Sequence, residues 1–302
     1  MAKSQKPILV LGGTGHYGRH IVASLAKRAP VRVLSRNKAK ARLIVGEPVE
    51  IVEGDVTSEE SVAAALQGVG GVVIGISAFT PKLIRKQWLI ERDSVLTAFA
   101  LAEKTGIGRV VYISGYDVRD DLPPDLDFPT GRIKVEVEKA LCRSRLNWTV
   151  LGAAPSMEIF FAMKKGSRML VPGGGPPALH TVSPVDVGEI AAQAVLRDDL
   201  RHQRIRLTGP EALSFREAAA RISAVTGKPL SVVKVPLFGL KVVAAATKPF
   251  NPFVSNLLAA VKLLNRFPQE LARQVPVDHE RLRSTFDYTP TTLEMEARRR
   301  LT

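Results

Sequence analysis

The chain is poor in cysteine. Of 302 residues only Cys142 carries a thiol, so no disulfide can close within the chain, and a reducing compartment is the simplest setting. Within "EKALCRSRL", Cys142 reads as a small buried hydrophobe. No apolar run reaches the roughly 18 residues that a membrane-spanning helix needs. The amino terminus, "MAKSQKPILVLGG", runs directly into an apolar strand and glycine turns, where a secretory leader would show a cleavage site. These absences lead to the expectation of a cytoplasmic protein that is soluble or lies peripherally on a membrane. Zinc-ligand spacing, a helix-turn-helix and interleaved aromatic and basic residues are missing too. The net charge of +14 therefore reads as suited to an anionic cofactor, an anionic surface or an acidic partner, and nucleic acid is not expected. Acidic residues vanish between positions 218 and 269, a stretch that holds Arg221, Lys228, Lys234, Lys241, Lys248, Lys262 and Arg266.

What is present is a rhythm. Short β-branched runs ("PILVLGG", "VRVLSR", "VEIVEGD", "GVVIGIS") alternate with amphipathic stretches such as "RHIVASLAKRA". The alternation continues through a helix around Trp88 to Glu103, the strand "RVVYISG", a helix from about Lys134 to Arg145, and the strand "NWTVLGAAP". Continuously apolar strands between helices imply an α/β fold, a doubly wound parallel sheet of the Rossmann type covered on both faces. After Pro155 the rhythm breaks at "VPGGGPPALH". The expected organisation is a dinucleotide-binding sheet domain over residues 1–154, a crossing segment over 155–209 that returns to the sheet, and a small, mainly helical carboxy-terminal lobe over 210–302.

The stretch "LGGTGHYGRH" sets Gly12, Gly15 and Gly18 between a strand and a helix. In that context the first glycine permits a tight turn, the second lets backbone approach a pyrophosphate, and the third lets helix and strand pack closely. The helix amino terminus adds partial positive charge. Thr14, His16 and Tyr17 fill the turn and join the expected cofactor-binding residues. At the end of the second strand, where an acid would bind a ribose 2′-hydroxyl, the chain reads Ser35, Arg36, Asn37, Lys38. A carboxylate there would repel a 2′-phosphate, whereas Arg36 can grip one and Ser35 can donate to it, so NADP(H) is expected in preference to NAD(H). The alternative is that Arg36 and Lys38 only begin a solvated helix. Asp55, in "VEGDVTSEES", has two readings of equal standing: a contact to the adenine amino group, or a helix cap. Ile76 and Ser77 close the fourth strand and should lie along the cofactor.

Four segments together resemble one family: "GGTGHYGR" (Gly12 to Arg19), "EGDVTS" (Glu53 to Ser58), "VVYISG" (Val110 to Gly115) and "VSPVDVGEIAA" (Val182 to Ala192). They are similar to the NmrA-like group of atypical short-chain dehydrogenase/reductases, a branch that includes NADPH-dependent quinone reductases and redox-sensing regulators. The resemblance covers roughly residues 7 to 210. It implies a site built from a Ser, a Tyr and a Lys, the last two spaced Tyr-x-x-x-Lys. Ser114 matches the Ser and Lys134 the Lys, but the tyrosine position in "TGRIK" is Thr130. An aliphatic alcohol is a far weaker acid than a phenol and does not replace it. Tyr116 either reaches in from its loop or is an ordinary loop aromatic. Lys134 either binds the nicotinamide ribose and polarises a substrate oxygen, or pairs on the surface with Glu138 at i+4. It precedes a helix whose apolar face is Ile133, Val137 and Leu141, as the family pattern requires, and the site reading is preferred. The resemblance also sets the backbone at Ala154 and Pro155 beside the nicotinamide. His180 and Asp186 read as structural.

Hydride transfer to a quinone yields a stabilised anion that water protonates, so the missing phenol matters less there than for an alcohol or simple ketone. The expected activity is reduction of a quinone-like or conjugated small-molecule acceptor. The rival expectation is a non-catalytic NADP(H) redox-sensing regulator, or an accessory subunit bound to a protein partner or membrane complex. Residues 218–269 suit either an anionic membrane surface or protein partner, or a mobile lid over an apolar pocket.

Overall fold

The computed structural model describes residues 6–123, 126, 128–266 and 269–300. Its first half alternates strand and helix as β1 (Ile8–Leu11), α1 (Gly18–Leu25), β2 (Val31–Ser35), α2 (Lys38–Val45), β3 (Glu50–Glu53), α3 (Glu59–Leu66), β4 (Gly71–Ile74), α4 (Ser94–Lys104), β5 (Val110–Gly115), α5 (Pro129–Arg143) and β6 (Trp148–Ala153). Next come α6 (Ile159–Ala162), β7 (Lys164–Lys165), β8 (Arg168–Pro172), β9 (Leu179–His180), α7 (Pro184–Val195) and β10 (Gln203–Leu207). The chain ends with β11 (Ala212–Leu213), α8 (Phe215–Thr226), β12 (Ser231–Val235), α9 (Leu237–Thr247), α10 (Phe253–Asn265), α11 (Gln269–Thr285) and α12 (Leu293–Arg299).

Seven strands pair in parallel in the order β10-β6-β5-β4-β1-β2-β3. This is the expected Rossmann sheet, and its winding reverses between β1 and β4, where such sheets hold ligands beyond the carboxyl ends of the strands. The apolar strands are buried on both sides. On one face Val10, Val33 and Val111 pack with Ile21 and Val22 of α1 and Ile190 of α7; on the other, Leu9, Leu11 and Val72 pack with Val62, Val95 and Val137 of α3, α4 and α5. Helices α1 and α7 cross closely because Gly188 has no side chain: a Cβ there would stand 2.5 Å from the backbone carbon of His20.

Helix α5 begins at Pro129, five residues before the expected start at Lys134, because Pro129 fits the first helical position after extended Phe128. Ile133, Val137 and Leu141 are fully buried, as their spacing requires. The same spacing corrects the reading of Cys142, which is exposed. One residue beyond Leu141 turns about 100° away from the buried stripe.

The lobe does not begin at residue 210. Its core joins Met157, Phe160, Met169, Val171 and Leu179 to Leu213, Phe215, Ala218 and Ile222 of the α8 region and to Leu293 and Ala297 of α12. The short strands β7, β8 and β9 cannot bury their own faces and take α8 and α12 as a cover. Conversely Val275, Leu282 and Phe286 of the expected lobe pack into the sheet core beside α7. Helix α7 packs on the sheet core, and β10 pairs with β6 at the sheet edge.

Candidate functional site

Gly12 has φ +85°, and a Cβ on it would stand 2.6 Å from the carbonyl oxygen of Gly75, just past β4. A Cβ on Gly18 would lie 1.9 Å from the Gly12 carbonyl oxygen. Together they let β1, β4 and α1 converge at the winding reversal. The first turn of α1 holds no acid and Tyr17 gives it no side-chain cap, while the Arg19 and His20 N–H groups donate to the Gly15 and Tyr17 carbonyls. A glycine-rich turn at a helix amino terminus without a side-chain cap fits a pyrophosphate.

The turn is tied to the segment after β6. His16 Nε2 lies 2.9 Å from Ser156 Oγ, and its Nδ1 lies 3.1 Å from Glu158, which also meets Arg300 at 2.6 Å. Burial lowers the His16 pKa, and Glu158 offsets part of that. Tyr17, packed against the sheet core, has its phenol raised well above the usual range by burial. Ala154 is anchored by its N–H to the Leu207 carbonyl at 2.8 Å, and the Pro155 carbonyl accepts from Val182. The structure thus brings the Gly12 to Gly18 turn and the Ala154 to Ser156 segment together through the His16 contacts. Thr14 is half-buried and Gly15 exposed between them.

Ser35 ends β2, and Asn37, not Arg36 or Lys38, caps α2 by accepting from Lys40 N–H at 2.8 Å. Arg36 is 65% exposed and lies 4.0 Å from Asp55, its one ion-pair partner among the described residues. Asp55 does not cap α3; Ser58 does, while Asp55 accepts the N–H and hydroxyl of Thr57, both at 2.9 Å. Burial acts to raise the Asp55 pKa, but the Thr57 hydrogen bonds, Arg36 and Lys86 outweigh it and hold the carboxyl below its usual value. Ile76 and Ser77 lie just past β4, which ends at Ile74, in a loop that Glu91 holds.

Glu91 is the residue that sequence reasoning missed. Its side chain is 3% exposed, in a π-helical turn over Leu89–Asp93, and accepts the Ala78 N–H at 2.5 Å. Gln87 links it to the tyrosine position: its amide donates to Thr130 Oγ1 at 2.7 Å and to Glu91 at 3.3 Å. A signal was available. Gln87, Glu91, Ser94, Val95, Ala98 and Ala102 form one buried stripe at helical spacing, with a carboxylate set among apolar neighbours.

Lys134 lies one turn beyond Thr130, half-buried, with its ammonium 5.4 Å from the centre of the Tyr112 ring. Burial lowers its pKa; Glu91 and Glu138 work against that, and Arg204 adds to it. Lys134 does not pair with Glu138. That carboxylate accepts the Ser114 hydroxyl at 2.5 Å and the Arg204 guanidinium at 2.9 Å. The single proton of Ser114 is thereby committed, so Ser114 faces a ligand only as an acceptor. Tyr116 is a correction. It packs in the core on the α1 and α7 side of the sheet, opposite to Lys134, and its phenol donates to Asp278 of α11 at 2.6 Å, with Arg206 5.4 Å over the ring. Burial and Asp278 raise its pKa well above the usual phenol range. Among the described residues no cluster of three or more His, Cys, Asp or Glu could hold a metal ion, and no helix is long and apolar enough to cross a membrane.

A family model described as NAD(P)H-binding matches residues 12–198. An NAD(P)H azoreductase of Xenophilus azovorans is 29% identical over 236 residues, covering 76% of this chain and 77% of that protein. A (4-alkanoyl-5-oxo-2,5-dihydrofuran-3-yl)methyl phosphate reductase of Streptomyces griseus is 31% identical over 228 residues, covering 74% of this chain and 75% of that one. In fold, the chain is similar to an NADPH-dependent quinone oxidoreductase from Escherichia coli solved with NADPH, with a TM-score of 0.73 and 19% identity over 98% of this chain and 100% of that one.

Proposed function

The chain belongs to the NAD(P)H-binding family, and on that premise we propose that it is an atypical short-chain dehydrogenase/reductase that uses NADPH to reduce a quinone-like or other conjugated acceptor. Lys134 carries the reading. Its ammonium is half-withdrawn from water, rests on Tyr112, and makes no hydrogen bond or ion pair with any described residue. Such a charge is costly unless a ligand takes its protons. NADPH, when bound, supplies the hydride. Gly12, Gly15 and Gly18 with the α1 amino terminus hold its pyrophosphate, and Ser35 and Arg36 hold the 2′-phosphate, with no carboxylate at the end of β2 to favour NADH. Ile76, Ser77, Ala154 and Pro155 line the nicotinamide end. Lys134 Nζ binds the ribose and polarises the acceptor oxygen, and water protonates the stabilised anion that a quinone yields. The relatives named for azo and quinone reduction support that acceptor class.

A second reading, an NADPH-sensing regulator or accessory subunit without turnover, draws on Thr130, whose hydroxyl is engaged by Gln87 and supplies no phenol. NADPH oxidation against a panel of quinones separates the two. Wild type turns over, and Lys134→Ala loses about a hundredfold in kcat while still binding NADPH. Tight NADPH binding with no oxidation by any quinone would overturn the reductase reading and favour the sensor.

A further inference from the structure

We propose that the outer face of α9 docks on the headgroup layer of an anionic lipid bilayer. Of the 11 residues of α9 only Ala244 is buried. Phe238 is 76% exposed, Val242 52% and Val243 48%, and Phe250, just past the helix, is 77% exposed. At about 100° per residue, Phe238, Val242, Ala245 and Ala246 share one side, while the less exposed Leu237, Leu240, Ala244 and Thr247 share the other. Lys241 and Lys248, two turns apart, stand on one flank between these sides, and both are exposed. An apolar ridge with lysines along its edge is the form of a helix lying in a membrane interface, its side chains inserted and its ammoniums at headgroup level.

Charge selects the occupant. With no Asp or Glu from 218 to 269, nothing in this segment repels an anionic leaflet. A second copy meeting the same face would instead bring Lys241 and Lys248 of both copies together with no carboxylate of either segment to offset them. The surface adjoins the candidate site's loop after β4, on which the turn after α9 rests. Asn251 donates to the Pro81 carbonyl at 2.9 Å, Arg85 donates to the Pro249 carbonyl at 3.3 Å, and the Phe79 and Phe253 rings lie 5.5 Å apart. Docking does not depend on turnover.

The test is sedimentation of the full chain with phosphatidylcholine vesicles containing about one-third phosphatidylserine, at about 0.1 M salt. Wild type pellets with them and stays free of pure phosphatidylcholine. Phe238→Ser with Val242→Ser keeps the charge and lowers the partition coefficient about tenfold. Lys241→Gln with Lys248→Gln lowers it about thirtyfold, each lysine being worth about fivefold near an anionic leaflet. NADPH affinity and melting temperature stay as in wild type for both variants. The proposal is overturned if wild type remains in the supernatant, or if the serine variant pellets as well as wild type, which would mean adsorption by net charge alone. It is equally overturned if wild type is a dimer that the serine variant dissociates, which would make a second copy the occupant.

Discussion

Replacing Asp186 by Asn removes a buried charge without removing its hydrogen bonds. Asp186 sits in the first turn of α7, 3% exposed, and accepts the N–H of Thr291 at 2.9 Å and the Thr291 hydroxyl. An Asn can accept the same N–H through its oxygen and donate to the hydroxyl through its amide, because a hydroxyl serves either role. Burial raises the Asp186 carboxyl to about 6; the Thr291 hydrogen bonds and Arg299 pull it down, and Glu296 pushes it up. Between the unfolded value of 3.8 and about 6 the folded chain holds a proton that the unfolded chain has released, so stability falls as pH rises through that window. Once both states are ionised the cost reaches about 3 kcal/mol, at about 1.4 kcal/mol per pH unit. The dipole of α7 favours an anion in its first turn by about 0.3–1 kcal/mol, which leaves about 2 kcal/mol. Asp186→Asn is therefore expected to match wild type near pH 4 and to exceed it by about 2 kcal/mol from about pH 7 upward. Urea unfolding at stepped pH measures the difference directly. A variant less stable than wild type at pH 7, or a difference that does not change with pH, would refute the reasoning.

Four further substitutions bear on the candidate site. Gly18→Ala puts a methyl 1.9 Å from the Gly12 carbonyl and should cost about 1–3 kcal/mol or more in stability and abolish NADPH binding by fluorescence titration; Gly15→Ala, with a 3.0 Å contact, should cost much less stability but still weaken NADPH, because its methyl stands where the pyrophosphate approaches. Arg36→Ala should weaken NADPH by about ten- to a hundredfold and leave NADH affinity unchanged, as two calorimetric titrations would show. Glu91→Gln keeps an acceptor for the Ala78 N–H but removes a charge that raises the Lys134 pKa, so the alkaline limb of the kcat profile should move to lower pH.

The sheet was legible because fully buried strands leave no choice of residue: Leu9, Val10 and Leu11 are all at 0% exposure, and β-branched or aliphatic side chains are the ones such positions accept. The glycine turn was legible for a related reason, since at Gly12 and Gly18 a Cβ would strike backbone. Boundaries of the lobe were not, because its core is shared between Phe160, Phe215 and Leu293, which are far apart in sequence and carry no common period. Tyr116 misled for want of a face: two residues past Ser114, at a strand end, sequence does not say on which side of the sheet a side chain leaves.

The site itself is read best from departures from pattern. Thr130 in place of a phenol removes the proton donor, yet Lys134 keeps an unspent ammonium beside it, and Gln87 and Glu91 fill the space between. A helix that needed only to pack would have no use for a carboxylate at 3% exposure in the stripe that runs through Ser94, Val95 and Ala98. Glu91 meets its desolvation cost with the Ala78 N–H and the Gln87 amide, which fixes the loop after β4. Its remaining field falls on Lys134 and raises the pKa that burial lowers. On the proposed function, Lys134 and Glu91 supply the electrostatic part of the site without a phenol at Thr130, and that part would suit an acceptor whose reduced form is an anion, such as a quinone.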